Sequence, residues 1–244
     1  MKKMRMAQVA RTEELGPHLR RIVLQGNELN DFPNNHEGAH FKAVFPQPGQ
    51  SKPKLGIYPG FKKWMRSYTV RAFNRQTKEL TVDFAVNDHQ GLATNWAKKA
   101  QVGDYLGIAG PGDTKYKNYQ AAWHLFLADL TGLPAAAAIL EKLPKTAGGY
   151  ALLQVPSAAD KQHLLIPNGI KVHWVINDNQ KHNALLEKLK TLTWKNNSPA
   201  IFVATETSQM AAINKYLKTK PGYSKELTYA SGYWKAPLIY KQIC

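Results

Sequence analysis

The feature that most constrains this chain is a change of hydrophobic period between its two halves. Up to about residue 110, short segments alternate polar and apolar residues with period two: Arg20–Gln25 (RRIVLQ), His40–Phe45 (HFKAVF), Ser67–Phe73 (SYTVRAF), Leu80–Val86 (LTVDFAV) and Tyr105–Ala109 (YLGIA). Gly, Pro, Asn and Asp fill the gaps, which predicts an antiparallel barrel or sandwich. Leu92–Ala100 (LATNWAKKA) breaks the pattern and predicts a short helix before the last strand. From Trp123 the chain reads as strand (HLFLAD), helix (Leu133–Leu143), strands (Tyr150–Val155 and Lys171–Ile176), helix (Asn183–Leu192), strand (Ala200–Ala204) and helix (Ser208–Lys218). Such alternation predicts a Rossmann-like parallel sheet with flanking helices, whose ligands lie beyond the carboxyl ends of the strands. Gly110-Pro111-Gly112-Asp113 closes the first unit, so the expected domains are 1–115, an antiparallel β-barrel, and 122–244, an α/β sheet.

Composition narrows the chemistry. The chain has 244 residues and one cysteine, Cys244, so disulfides and cysteine-built zinc or iron–sulfur centres within it are excluded. Of its histidines only His36 and His40 are spaced like ligands, and Pro33 with the neighbouring asparagines makes that segment a loop. No metal site is expected. No apolar run approaches the roughly 18 residues of a membrane span, nor does one follow the basic start, so a cytoplasmic protein is expected.

The net charge of +16 suits an anionic ligand or partner. Residues 38–78 carry nine basic side chains and no acidic one, and every arginine lies at or before Arg75. Arginine's planar fork suits phosphate and carboxylate, so anion recognition belongs in the first half, unless the run is simply a solvated loop. A nucleic-acid binder would fit the charge, but no helix-turn-helix, zinc module or aromatic ribonucleoprotein motif accompanies it, and none is expected as a partner.

Four local signals stand out. Arg66-Ser67-Tyr68-Thr69 offers a charge fork, a flat ring and a short hydroxyl donor, the means to hold a phosphate-bearing ring compound, or else a polar strand edge. Gly91-Leu92-Ala93-Thr94 opens the predicted short helix, where free backbone N–H groups can meet a diphosphate or simply be capped. Asp129-Leu130-Thr131-Gly132 follows the first parallel strand but lacks the G-x-G-x-x-G fingerprint, so Asp129 and Thr131 read as partners for ligand hydroxyls or as a plain turn. Ser231-Gly232-Tyr233-Trp234-Lys235 pairs aromatic rings with a cation, for stacking or for the core.

RSYT, VNDHQGLATNWAKKAQVGD, GPGD, HLFLADLTGLPAAAAILEKLP, FVATETSQM and SGYWK, in this order, together resemble the siderophore-interacting protein family. Its members are FAD-containing ferric-siderophore reductases of the ferredoxin reductase superfamily, and the resemblance runs from about Arg5 to Lys235. It implies FAD on the barrel and an NAD(P)H-reductase-like second domain. Arg66 would meet the FAD diphosphate, Tyr68 would pack on the isoalloxazine or ribityl chain, and Ser67 and Thr69 would lie alongside. Gly91, Ala93 and Thr94 would complete the diphosphate cradle, with Asp83, Phe84, Val86, His89, Asp129, Thr131 and Trp234 also near cofactor. Glu206 matches the family's acidic residue after the later strand. The chain departs from the family at Asn87-Asp88, at Leu130 and at Thr205 before Glu206.

The implied activity is one-electron reduction of a ferric siderophore, releasing Fe(II), with no catalytic acid, base or nucleophile required of the protein. Lys52, Lys54, Lys62, Lys63 and Arg71, with Lys235 opposite, would hold the anionic chelate. NADH, NADPH or reduced ferredoxin would supply electrons, and the lack of arginine after Arg75 inclines the reading to NADH. A monomer without stable membrane insertion is expected. A general flavin reductase and a non-catalytic siderophore binder are the alternative readings.

Overall fold

A computed structural model describes residues 3–86, 91–179, 181–195 and 197–236. The first half is an antiparallel sheet of seven strands, β1 (Met4–Gly16), β2 (Leu19–Gln25), β3 (His40–Val44), β4 (Met65–Thr69), β5 (Ala72–Asn74), β6 (Glu79–Ala85) and β7 (Tyr105–Ala109), in the order β4-β3-β7-β1-β2-β6-β5. The single strand expected over Ser67–Phe73 is bent. Its first part pairs with β3 (His40 opposite Thr69) and its second with β6 (Ala72 opposite Thr81). Between them Val70 N–H donates to Ala39 and Arg71 N–H to Thr81. This two-residue corner joins the two ends of the sheet and curls it into a barrel.

The inward positions of the alternating segments fill that barrel, including Ile22, Leu24, Phe41, Leu80, Val82, Phe84, Leu106 and Ile108. Helix α1 (Leu92–Lys99) covers one end with Ala93, Ala97 and Trp96. Strand β1 was not among the expected strands. It pairs with β2 on one side and β7 on the other.

The second half is a parallel sheet of β8 (Trp123–Ala128), β9 (Gly148–Val155), β10 (Gly169–Ile176), β11 (Pro199–Glu206) and β12 (Thr228–Trp234), ordered β10-β9-β8-β11-β12. The order reverses between β8 and β11, the switch point of a Rossmann-like sheet. Helix α2 (Leu133–Leu140) lies on one face, and α3 (Ala184–Lys190) and α4 (Thr207–Leu217) on the other. All eight residues of α2 are buried, which explains its apolar sequence LPAAAAIL: it is covered by the sheet on one side and the barrel on the other. Leu15, Leu19 and Ala85 of the barrel pack into the same cluster as α2.

Polar bonds complete the junction. The β1–β2 turn enters the second half, where His18 N–H and Nδ1 each lie 2.8 Å from the carboxylate of fully buried Asp160. A Cβ on Gly16 would stand 2.8 Å from Ala159 O, so a side chain there would push the halves apart. Arg71, on the barrel corner, makes two bonds to Glu141 at the end of α2, 2.8 and 2.6 Å. Lys142 pairs with Glu37.

Candidate functional site

Strand β4 carries the first motif at the edge of the barrel. Arg66 and Ser67 are exposed, Tyr68 is half-buried and Thr69 is buried. The Tyr68 ring lies against Phe84, with centroids 4.2 Å apart, and Phe84 and Phe45 each stand 5.6 Å from Trp96 of α1. Four aromatic rings thus join β4 to the helix. Burial pushes the Tyr68 hydroxyl well above its ordinary range, against the pull of the Arg66 charge. Phe45 is the supporting residue that the motifs did not include; its signal was an aromatic just after the neighbouring strand, whereas Trp96 packs into the core as one reading of the short helix expects.

The first bond of α1 among the described residues runs from Asn95 N–H to Gly91 O, 2.8 Å, so the amides of Leu92, Ala93 and Thr94 precede the ladder. Among the described residues no side chain caps them, and a Cβ on Gly91 would meet nothing within 4 Å. The Arg66 guanidinium is steadied by the carbonyls of Lys63 (3.0 Å) and Met65 (2.8 Å) and has no carboxylate partner among the described residues. An unneutralised guanidinium, uncapped amides and a ring backed by aromatics fit the diphosphate and ring system of FAD.

The lysines of the basic segment lie largely on aromatic rings. Lys52 lies over Tyr105 (4.3 Å to the centroid), Lys54 over Tyr58 (4.8 Å) and Lys63 over Trp64 (5.1 Å). Lys62 and Lys235 are exposed. None of the five pairs with a carboxylate among the described residues. The ammonium groups of Lys52, Lys54 and Lys63 rest on rings, and none of the five charges is compensated by a described carboxylate.

The carboxyl edge of the parallel sheet is differently built. Asp129 follows β8 and is buried; its Oδ1 accepts from Thr131 N–H (2.9 Å), Thr131 Oγ1 (2.7 Å) and Gly132 N–H (3.1 Å). Its Oδ2 accepts from Glu206 N–H and Trp234 Nε1, both 2.8 Å. Burial pushes the Asp129 carboxyl up, against the pull of these bonds. Glu206, at the end of β11, caps α4 through Ser208 N–H (2.6 Å), the Ser208 hydroxyl and Gln209 N–H (3.0 Å), and accepts Ala236 N–H at 3.3 Å. Burial raises its carboxyl too, but here the bonds from Ser208, Gln209 and Ala236 prevail and hold it below its ordinary value.

Several of the expected site residues already have partners within the fold. Asp129 and Thr131 do not present free groups to a ligand hydroxyl, because five donors already occupy the Asp129 carboxylate. Phe84 and Val86 are buried, and Asp83 points to the opposite side of β6, where Arg21 grips it at 2.8 and 2.9 Å. Arg71 is no free cation for a chelate, since it is bonded to Glu141 and lies 3.8 Å from Asp83. His89, with Asn87 and Asp88, lies outside the described residues. Trp234 keeps an exposed ring, 41% of its surface, with its N–H turned to Asp129.

Residues 8–115 match the model of the siderophore-interacting FAD-binding domain, and residues 121–237 that of the siderophore-interacting protein. The chain is 33% identical over 241 residues to the ferric vibriobactin reductase ViuB of Vibrio cholerae serotype O1, covering 95% of this chain and 89% of that one. It belongs to the siderophore-interacting protein family. Among other relatives of this siderophore-interacting protein, the NADPH-dependent ferric-chelate reductase of Escherichia coli is 29% identical over 242 residues, with 93% and 91% covered. The crystal structure of the siderophore-interacting protein SipS from Aeromonas hydrophila superposes with a TM-score of 0.85 at 32% identity, covering 96% of this chain and 92% of that one.

Proposed function

We propose that this protein is an FAD-dependent ferric-siderophore reductase that frees iron as Fe(II). The observation that carries the reading is β4 itself: Arg66 without a described carboxylate partner and Tyr68 set on Phe84 beside α1, in a segment whose lysines are likewise uncompensated. Arg66 and the amides of Leu92, Ala93 and Thr94 hold the FAD diphosphate, while Tyr68 offers its ring and Ser67 and Thr69 their hydroxyls. Bound there, FAD supplies what no side chain here can, acceptance of a hydride pair and delivery of single electrons. Lys52, Lys54, Lys62, Lys63 and Lys235 draw in the anionic chelate and hold it by charge.

The barrel over 1–115 is the FAD-binding domain and 122–244 the NAD(P)H-reductase-like domain. Without an arginine beyond Arg75 the second domain lacks a bidentate partner for a 2′-phosphate, which favours NADH, whereas the E. coli relative is named for NADPH. Reduced ferredoxin, an acidic partner for a basic surface, is the alternative donor. The protein works in the cytoplasm as a monomer, without nucleic acid or membrane insertion; no helix among the described residues is long and apolar enough to cross a bilayer.

The decisive experiment is an absorption spectrum of the purified protein, followed by anaerobic mixing of its reduced form with a ferric siderophore and an Fe(II) trap. A yellow protein that is reoxidised as Fe(II) appears is the expected result. A protein that neither carries nor binds FAD sinks the reading. For the cations, charge reversal at Lys52 and Lys54 is expected to raise KM for the ferric chelate about tenfold with kcat kept, and to flatten its salt dependence. Indifference to both changes removes electrostatic capture.

A further inference from the structure

We infer that Asp129, Glu206 and Thr207 are positioning residues that tether the segment Trp234–Ala236 across the carboxyl edge of the parallel sheet, and so fix the backbone from which Lys235 meets the anionic chelate. The inference rests on the role proposed above for Lys235. Among the described residues β12 is an edge strand, paired only with β11, and its register slips at the end: Thr205 lies opposite Gly232, but Glu206 opposite Trp234. A strand end of this kind, with an exposed ring, would ordinarily fray.

Three bonds from outside the strand restrain it. Asp129 Oδ2 accepts Trp234 Nε1 at 2.8 Å, Thr207 Oγ1 donates to the Trp234 carbonyl at 2.8 Å, and Glu206 Oε1 accepts Ala236 N–H at 3.3 Å. Lys235 therefore lies between two anchored residues while its own side chain stays exposed.

The division of labour on Asp129 points the same way. One oxygen serves its own turn, at Thr131 and Gly132, and the other reaches the ends of β11 and β12, 77 and 105 residues further along the chain. Contact is also close at Gly232, where a Cβ would stand 2.5 Å from Thr207 Oγ1, so β12 is pressed against the start of α4. A cation on a fixed backbone gives up less freedom when it binds than one on a frayed end, and this difference appears as affinity.

The test uses the FAD-loaded, oxidised protein and an iron(III) tris-catecholate as probe, measuring dissociation constants by fluorescence quenching across ionic strength, with FAD content read from absorbance. Trp234→Phe keeps the ring but removes the N–H, Thr207→Val removes the hydroxyl at similar volume, and Lys235→Gln removes the charge. Lys235→Gln is expected to weaken binding about fivefold and to flatten its salt dependence. Per FAD-loaded protein, Trp234→Phe and Thr207→Val are each expected to weaken it about threefold, and to have no further effect once Lys235 is Gln. Binding by both tether variants as tight as wild type, or losses that add in full to that of Lys235→Gln, overturns the inference. So does wild-type binding by Lys235→Gln, an outcome that leaves FAD binding and Fe(II) production, on which the reductase reading stands, unchanged.

Discussion

His124 shows how much a single residue can depend on where the fold puts it. In the sequence it is one of eight scattered histidines; in the fold it is 1% exposed on β8, its Nδ1 2.6 Å from the Tyr116 hydroxyl. Its Nε2 is buried without a hydrogen-bond partner among the described residues, and burial lowers its pKa to about 4. The folded protein thus keeps the ring neutral at pH values where the unfolded chain, with an ordinary value of 6.5, protonates it. The unfolded state binds the extra proton, so stability contributed by the neutral ring is present above pH 6.5 and is lost as pH falls towards 4. The loss amounts to roughly 3 kcal/mol over that interval. His124→Phe, placed beside the rings of Tyr116 and Phe126, should remove this component; urea unfolding of both proteins at pH 7 and 4.5 measures it as a smaller acid loss in the variant.

Among the elements, the turn after β8 makes the sharpest demand. A Cβ on Gly132 would stand 2.1 Å from the Ala204 carbonyl oxygen of β11, and that oxygen belongs to backbone that cannot step aside. Gly132→Ala is therefore expected to cost about 3 kcal/mol, read as a lowered Tm, because β8 and β11 would have to separate at the switch point. Most strands and three of the helices were legible from residue pattern, and α2, buried all round, from its apolar, alanine-rich run after β8. The exceptions have physical causes. The outer part of β1, RTEELG, is charged because that half of the strand is largely solvent-facing, and β12, TYASGYW, is an edge strand with a glycine inside it. At the site, β4 and the start of α1 were legible as compact motifs. The commitments of Asp83 and Arg71 were not, because Arg21 is a cross-strand neighbour and Glu141 comes from another domain, and both depend on register and docking.

For the whole molecule, the expected two units are held together by charge as well as by the apolar contact around α2. Arg21, Asp83, Arg71 and Glu141 form a chain of ion pairs across the junction, at 2.8, 3.8 and 2.6 Å. His18 with Asp160 and Lys142 with Glu37 add two further links. Arg71 and Glu141 are mostly buried, so their pair is less screened than a surface one. Glu141→Gln is expected to cost about 2 kcal/mol by leaving Arg71 incompletely paired, and to separate the unfolding of the halves in scanning calorimetry. A single unchanged transition would show that the apolar contact alone sets the docking.

The corner at Val70–Arg71 belongs to two seams at once, closing the barrel through its backbone while Arg71 reaches α2 through its side chain. Any slack at the domain junction is therefore felt where the barrel is sewn shut, at the end of the strand that carries Tyr68. In hydrogen–deuterium exchange, the amides of Val70 and Arg71 would then keep time with the parting of the domains while their neighbours in the barrel stayed protected.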